Sequence, residues 1–203
     1  MGMNCALEIS QILSVNDNIA YLNLSKNQLG DEGVAVLMKI IGRSRALIHL
    51  DLSSNQLTHK GAKKVFKALL YNPSLISLAL GSVDNISKNK IGPKGVKHLV
   101  NLLQNSKQLE FLDIRGSLLT DSGLISLCEG LKGNTYIHYL NISKNEITAY
   151  GAQKLSETLK KMQLIDLDIS CNPLGTSGIK EIAMYINNNS CTLEKLDVSE
   201  CKI

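Results

Sequence analysis

Five stretches of this chain align on one another without gaps: YLNLSKNQLGDEG from Tyr21, HLDLSSNQLTHKG from His49, FLDIRGSLLTDSG from Phe111, YLNISKNEITAYG from Tyr139 and DLDISCNPLGTSG from Asp166. A unit recurring at fixed length cannot bury its apolar face alone, so it stacks on its neighbours, and this constrains the fold more than any other feature of the sequence. The last apolar residue of each expected strand falls at Leu24, Leu52, Leu80, Ile114, Ile142, Ile169 and Val198, in steps of 28, 28, 34, 28, 27 and 29. The long step marks an insertion near residues 81–86, after which the motif resumes at SKNKIGPKG, Ser87 to Gly95.

Each unit divides into a short alternating segment and a segment of period 3.6, a strand followed by a helix. In the second unit Leu47, Leu50 and Leu52 are expected to point inward and His49, Asp51 and Ser53 outward. The helices carry one apolar stripe each: Val34, Leu37, Met38, Ile41; Ala62, Val65, Phe66, Leu69; Val96, Leu99, Val100, Leu103; Leu124, Leu127, Cys128, Leu131. Thr58, Thr120 and Thr148, with Gly30, Gly92 and Gly175 at the equivalent position, are expected N-caps, and Pro93 follows where its missing N–H costs little. Asn27, Asn55, Asn89, Asn145 and Asn172 lie just past the strands; an amide there can satisfy backbone groups that have left the ladder, which gives these residues a structural role. Ser117 replaces the asparagine in one unit.

The expected organisation is a single domain over 1–203. Residues 3–15 form the helix of a leading half-repeat, with Cys5 at the glycine position and Ala6, Ile9 and Leu13 inside. About six repeats cover 18–190, and a trailing strand of a truncated repeat occupies 191–203. Leu193, Leu196 and Val198 then have no following helix, so a longer protein or a neighbour is expected to cover them.

Composition removes several function classes. The chain has 22 basic and 18 acidic residues, with only Arg43, Arg45 and Arg115 as arginines, so sequence-specific nucleic-acid binding is not expected. No apolar run reaches the roughly 18 residues of a membrane span. With no secretory signal pattern either, the chain reads as soluble and cytoplasmic. Cys5, Cys128, Cys171, Cys191 and Cys201 form no CxxC pair and no zinc spacing with the four histidines, so neither metal nor cofactor is expected. The glycosylation-type triplets at Asn23, Asn85, Asn141 and Asn188 are discounted, two of them falling inside strands. His49, His59, His98 and His138 sit at four different repeat positions with no recurrent nucleophile, so no enzyme and no small-molecule substrate is expected.

The consensus L-x-x-L-x-L-S-x-N-x-L-x-x-x-G-x-x-x-L-x-x-x-L resembles the ribonuclease-inhibitor-like leucine-rich repeats over essentially the whole chain. The resemblance implies an α/β solenoid, a right-handed horseshoe with a parallel β-sheet on the concave face and α-helices on the convex one. It also implies a choice among nuclease inhibitors, sensor arms of immune receptors, small-GTPase activators and actin- or cilium-associated scaffolds, which the fold does not decide.

Outward strand positions form three columns: Tyr21, His49, Ser77, Phe111, Tyr139, Asp166, Lys195; then Asn23, Asp51, Ala79, Asp113, Asn141, Asp168, Asp197; then Ser25, Ser53, Gly81, Arg115, Ser143, Ser170, Ser199. The first is rich in aromatics for a chain with only eight, and such side chains anchor interfaces, although they also suit strands on propensity alone. The second makes the concave centre acidic while Lys63, Lys64, Lys67, Lys97, Lys154 and Lys180 make the outside basic; the repeat motif itself also favours Asp there. Tyr21, His49, Asp51, Phe111, Asp113, Arg115, Tyr139, Asp166 and Asp168 are the candidate contacts for a protein partner. A GTPase regulator using Arg115 and an architectural component of a cytoskeletal or ciliary assembly are the alternatives. Seven strands about 4.8 Å apart and about four residues long project only about 400 Å². A stable partner buries about 800 Å² per side. The rims, the insertion or further repeats must therefore add to the face.

Overall fold

The computed structural model describes residues 2–16, 18–82, 86–187 and 191–202. Strands β1 (Tyr21–Asn23), β2 (His49–Asp51), β3 (Ser77–Ala79), β4 (Phe111–Asp113), β5 (Tyr139–Asn141), β6 (Asp166–Asp168) and β7 (Lys195–Asp197) form one parallel sheet in chain order. Helices α1 (Gly2–Ser14), α2 (Gly30–Ile41), α3 (His59–Leu69), α4 (Gly92–Asn105), α5 (Thr120–Leu131), α6 (Ala149–Leu159) and α7 (Gly175–Ile186) alternate with the strands, each packing on its sequence neighbours. This is a leucine-rich-repeat solenoid. The register aligns Tyr21, His49, Ser77, Phe111, Tyr139, Asp166 and Lys195 in one row, the first column read from the sequence. The strands stop one residue short of the expected apolar residues, yet pairing continues: Leu24 N–H donates to the Asp51 carbonyl and Leu52 N–H to that of Ala79, both at 2.8 Å.

The core lies between sheet and helices. Leu50, Leu78, Leu112, Leu140 and Leu167 are buried from the sheet side and Val65, Phe66 and Leu69 from the helix side. Burying each such side chain stabilises the fold by about 1.5–3 kcal/mol. One stripe differs from expectation. Val100 is half-buried and Leu102 takes its place in the core. Val100 lies instead where α5 crosses α4: a Cβ on Gly130 would stand 2.9 Å from the Val100 Cα, so the two helices approach closely there.

The helix starts also differ from expectation. Among the described residues, only Thr58 and Thr148 cap with their side chains, accepting from Lys60 N–H and Tyr150 N–H. Gly30, Gly92, Thr120 and Gly175 are left-handed, with φ of 60, 57, 58 and 61°, and their N–H groups donate to the carbonyls of Asn55, Ser117, Asn145 and Cys201 in the next repeat. The divide has a physical cause. Asp31 and Asp121 accept the N–H of Thr58 and of Thr148, each at 2.8 Å, and draw the two threonines into an extended conformation. The residue standing one repeat before Thr120 is Pro93, which offers no carboxylate.

The asparagines form a ladder. Asn55 accepts from Asn27 N–H and Leu29 N–H, and its amide donates to the Leu24, Leu52 and Ser53 carbonyls. Asn145 and Asn172 repeat this arrangement. The ladder breaks at Ser117, whose side chain is too short to reach Asn89; the hydroxyl of Ser82 accepts the Asn89 N–H at 2.9 Å instead. Residues 83–85 of the expected insertion, with the Asn85 triplet, lie outside the described residues, as does Asn188. No helix among the described residues is long and apolar enough to cross a membrane.

Candidate binding face

Strand alternation lifts the first column off the core, and it stands open. Tyr21, His49, Phe111 and Tyr139 are exposed, whereas Ser77 and Asp166 are half-buried. They are not evenly spread. The rings of Tyr21 and His49 lie 5.7 Å apart and those of Phe111 and Tyr139 6.3 Å apart, giving two tilted aromatic pairs on either side of β3. Beyond them, Lys195 Nζ pairs with Asp166 at 2.9 Å. That contact raises the Lys195 pKa and ties up one of the expected acidic contacts.

Between the two aromatic pairs β3 presents only Ser77 and Ala79, with Gly81 just beyond. The sheet is hollowed there to about 290 Å³, bordered by Tyr21, His49, Asp51, Phe111 and Arg115. Sequence reasoning missed this hollow, although the signal was available: three consecutive outward positions of one repeat carry the smallest side chains of their columns.

The second column is less free than expected. Asp51, Asp113 and Asp168 accept the N–H of Ser53, Arg115 and Ser170 two residues ahead, at 2.8, 2.9 and 3.0 Å, holding the turn after each strand. Asn23, Asn141 and Asp197 do the same, and the two hydrogen bonds from Ser199 hold the Asp197 carboxyl below its ordinary range. Asp168 also accepts from the Asn141 amide at 2.8 Å. Asp113 departs furthest from expectation. It is buried, 2% exposed, and ion-paired with Arg115 at 2.8 Å, so it is not an open carboxylate on the face. Burial pushes its pKa up despite that pair.

The third column is corrected as well. Ser53, Ser143 and Ser170 are buried, because the chain is already turning toward the helix. Arg115 keeps an exposed edge, its side chain 41% accessible, while Ser25 is half-buried and Ser199 exposed. Gly81 makes room for the pair: a Cβ there would meet Arg115 Cγ and Asp113 Oδ1, each at 2.7 Å. Cys201 occupies the ladder position of the last strand and donates its thiol to the Ile169 carbonyl at 3.5 Å, replacing one of the amide's bonds. The sequence spacing, three residues past Val198, could have shown this.

The chain is similar to known proteins over much of its length. The family model described as "Leucine Rich repeat" matches residues 15–38, 43–66, 133–156, 162–183 and 189–203, more than half of the chain. NACHT, LRR and PYD domains-containing protein 13 of Homo sapiens is 27% identical over 189 residues, 93% of this chain and 15% of that protein. The ribonuclease inhibitor of Sus scrofa is 31% identical over 115 residues, 56% of this chain and 25% of the inhibitor. The chain therefore spans only a small part of these relatives. Among solved structures, "Leiomodin-1 Actin-Binding Site 2 (ABS2)" superposes with a TM-score of 0.62 at 17% identity, covering 78% of this chain and 88% of that one. That likeness is one of fold. The matched repeat model, the similar ribonuclease inhibitor and the single parallel sheet agree, and the chain belongs to the leucine-rich repeat family in its ribonuclease-inhibitor-like form.

Proposed function

We propose that this chain is a protein-interaction scaffold or sensor segment of a larger protein, that it has no enzymatic activity, and that it holds a protein partner on its concave face. The observation that carries this reading is the hollow over β3 flanked by Tyr21–His49 and Phe111–Tyr139. Paired, partly immobilised rings around a recess lose little conformational freedom on docking, which is what anchoring residues need. Asp51 adds a negative edge to the recess, with one carboxylate oxygen engaged by Ser53 N–H. Asp166 and Asp168 are already engaged by Lys195 and Asn141 and contribute through their field.

The test is quantitative capture from extract of the source cells. Proteins retained by the wild type should be lost from Phe111→Ala/Tyr139→Ala and kept by a convex-face change such as Lys154→Ala. Equal retention by the aromatic double variant removes the reading. A small-GTPase regulator is the weaker alternative, since an arginine acting on a nucleotide must be free and the guanidinium of Arg115 is held by Asp113. An architectural role in a cytoskeletal or ciliary assembly is the other alternative.

A further inference from the structure

The near-neutral net charge hides a strong polarity. Residues 33–109 carry ten lysines and two arginines against only Asp51 and Asp84, a net of +10. The rest of the chain carries ten basic and sixteen acidic residues, a net of −6, and the two together give the overall +4. Asp51 is on the concave side, and Asp84 lies outside the described residues. The charged side chains that α3 and α4 themselves carry are therefore all cations.

The placement is regular. Lys60, Lys63 and Lys67 are exposed along α3, and Lys94 and Lys97 along the adjoining α4. Lys64, in the same stripe, is half-exposed and paired with Glu32 at 2.9 Å. None of the other five has an ion-pair partner among the described residues. Lysines at i, i+3, i+4 and i+7 of one helix repel one another in the free protein. Elsewhere the signs are interleaved, as where Lys154 meets Glu157 on α6. His98 on α4 reports the summed field: burial lowers its pKa, and Lys63, Lys67 and His59 lower it further.

We infer that the α3–α4 face, through Lys60, Lys63, Lys67, Lys94 and Lys97, is a docking surface for an acidic polypeptide segment rich in Glu or Asp. This surface is opposite the concave recess, and the inference stands apart from the proposed function. Charge complementarity selects an anion, and the remaining chemistry selects among anions. The five residues are all lysines, so the planar forks that grip phosphates are missing. No large apolar side chain is exposed on α3 or α4, so nothing there stacks on bases or enters a bilayer. A convex surface also meets a flat membrane along one line only. An extended acidic chain can follow the two lysine rows and needs only point charges.

The test uses the full chain and three probes: fluorescent oligo-glutamate, duplex DNA of equal charge, and phosphatidylserine vesicles. The oligo-glutamate should bind most tightly, and binding should weaken steeply as salt rises toward about 0.15 M. Lys63→Glu/Lys67→Glu/Lys97→Glu should weaken it by about tenfold or more, while Phe111→Ala/Tyr139→Ala should leave it unchanged. Saturation with oligo-glutamate should move the His98 imidazole titration, followed by NMR, to higher pH. Undiminished affinity in the charge-reversed variant overturns the inference, as does tighter binding of DNA or vesicles. Should charge reversal impair folding, the corresponding Gln triple variant carries the same readouts.

Discussion

The carboxylate of Asp31 occupies the space that a side chain on Gly61 would need, and accepts the Gly61 N–H at 2.9 Å. The same oxygen accepts the Thr58 N–H, while the other takes the Thr58 hydroxyl at 2.6 Å. One residue of α2 thus completes the N-terminus of α3, where unpaired N–H groups and the helix dipole favour a negative charge. Asp121 likewise accepts the Thr148 N–H and hydroxyl, and its carboxylate fills the space that a side chain on Gly151 would need. Gly61→Ala or Gly151→Ala should displace the carboxylate and lower stability by about 1–3 kcal/mol. Gly133→Ala removes another glycine but clashes with nothing, although its φ of 76° makes it a backbone control. Urea denaturation of the three variants checks this; a Gly61→Ala protein as stable as the wild type would contradict it.

The asparagine ladder should show graded sensitivity. Asn145 is fully buried and serves Ser117 N–H, Leu119 N–H and three carbonyls. Replacing it with Ala strands several buried backbone groups and should cost about 3 kcal/mol or more. Among the described residues Asn27 accepts no backbone bond from an earlier segment, and it is only part-buried, so Asn27→Ala should cost about 1 kcal/mol. Thermal unfolding that ranks the two variants in the opposite order would refute the ladder's role.

The architecture was legible because its signals are periodic. The 28-residue step and the apolar stripes state the strand, the helix and the register, and Tyr21, His49, Phe111 and Tyr139 do stand in one exposed row. What stayed hidden depends on contacts between repeats. Nothing within the sequence around Asp113 shows that it is buried under Arg115 beside Gly81, since that triangle joins positions 34 residues apart across the insertion. The division between Thr58 and Thr120 likewise depends on what stands one repeat earlier, Asp31 in one case and Pro93 in the other.

Thr120 carries a consequence of that division. Its φ of 58° is a conformation that a β-branched residue adopts only under strain, and glycine stands at the three equivalent left-handed positions. Its hydroxyl reaches only Ser122, at 3.2 Å on the surface. Thr120→Gly should therefore stabilise the chain by about 1 kcal/mol, the relief of strain outweighing the added chain entropy. Thr148→Gly, at an extended threonine whose hydroxyl both caps α6 and donates to Asp121, should destabilise by about 1–2 kcal/mol. Paired urea curves check both signs.

Asp113 and Arg115 should separate in their response to mutation and to pH. Arg115→Ala leaves a buried carboxylate without its counter-ion and should cost about 2–4 kcal/mol near neutral pH. Asp113→Asn keeps an acceptor for the Arg115 N–H and should cost less. The pH dependence follows from the raised pKa of Asp113, caused first by burial. Between the unfolded value and this higher folded one, the native chain retains a proton that the unfolded chain has released. Raising the pH through that window therefore erodes stability. Asp113→Asn has no such proton, so the stability of the wild type relative to this variant should fall as pH rises from below 3.8 toward neutrality. In Arg115→Ala the burial penalty is no longer opposed, and the same fall should be steeper. Denaturation curves of the three proteins across that range decide it; parallel pH profiles for wild type and Asp113→Asn would show that Asp113 titrates as an exposed carboxylate does.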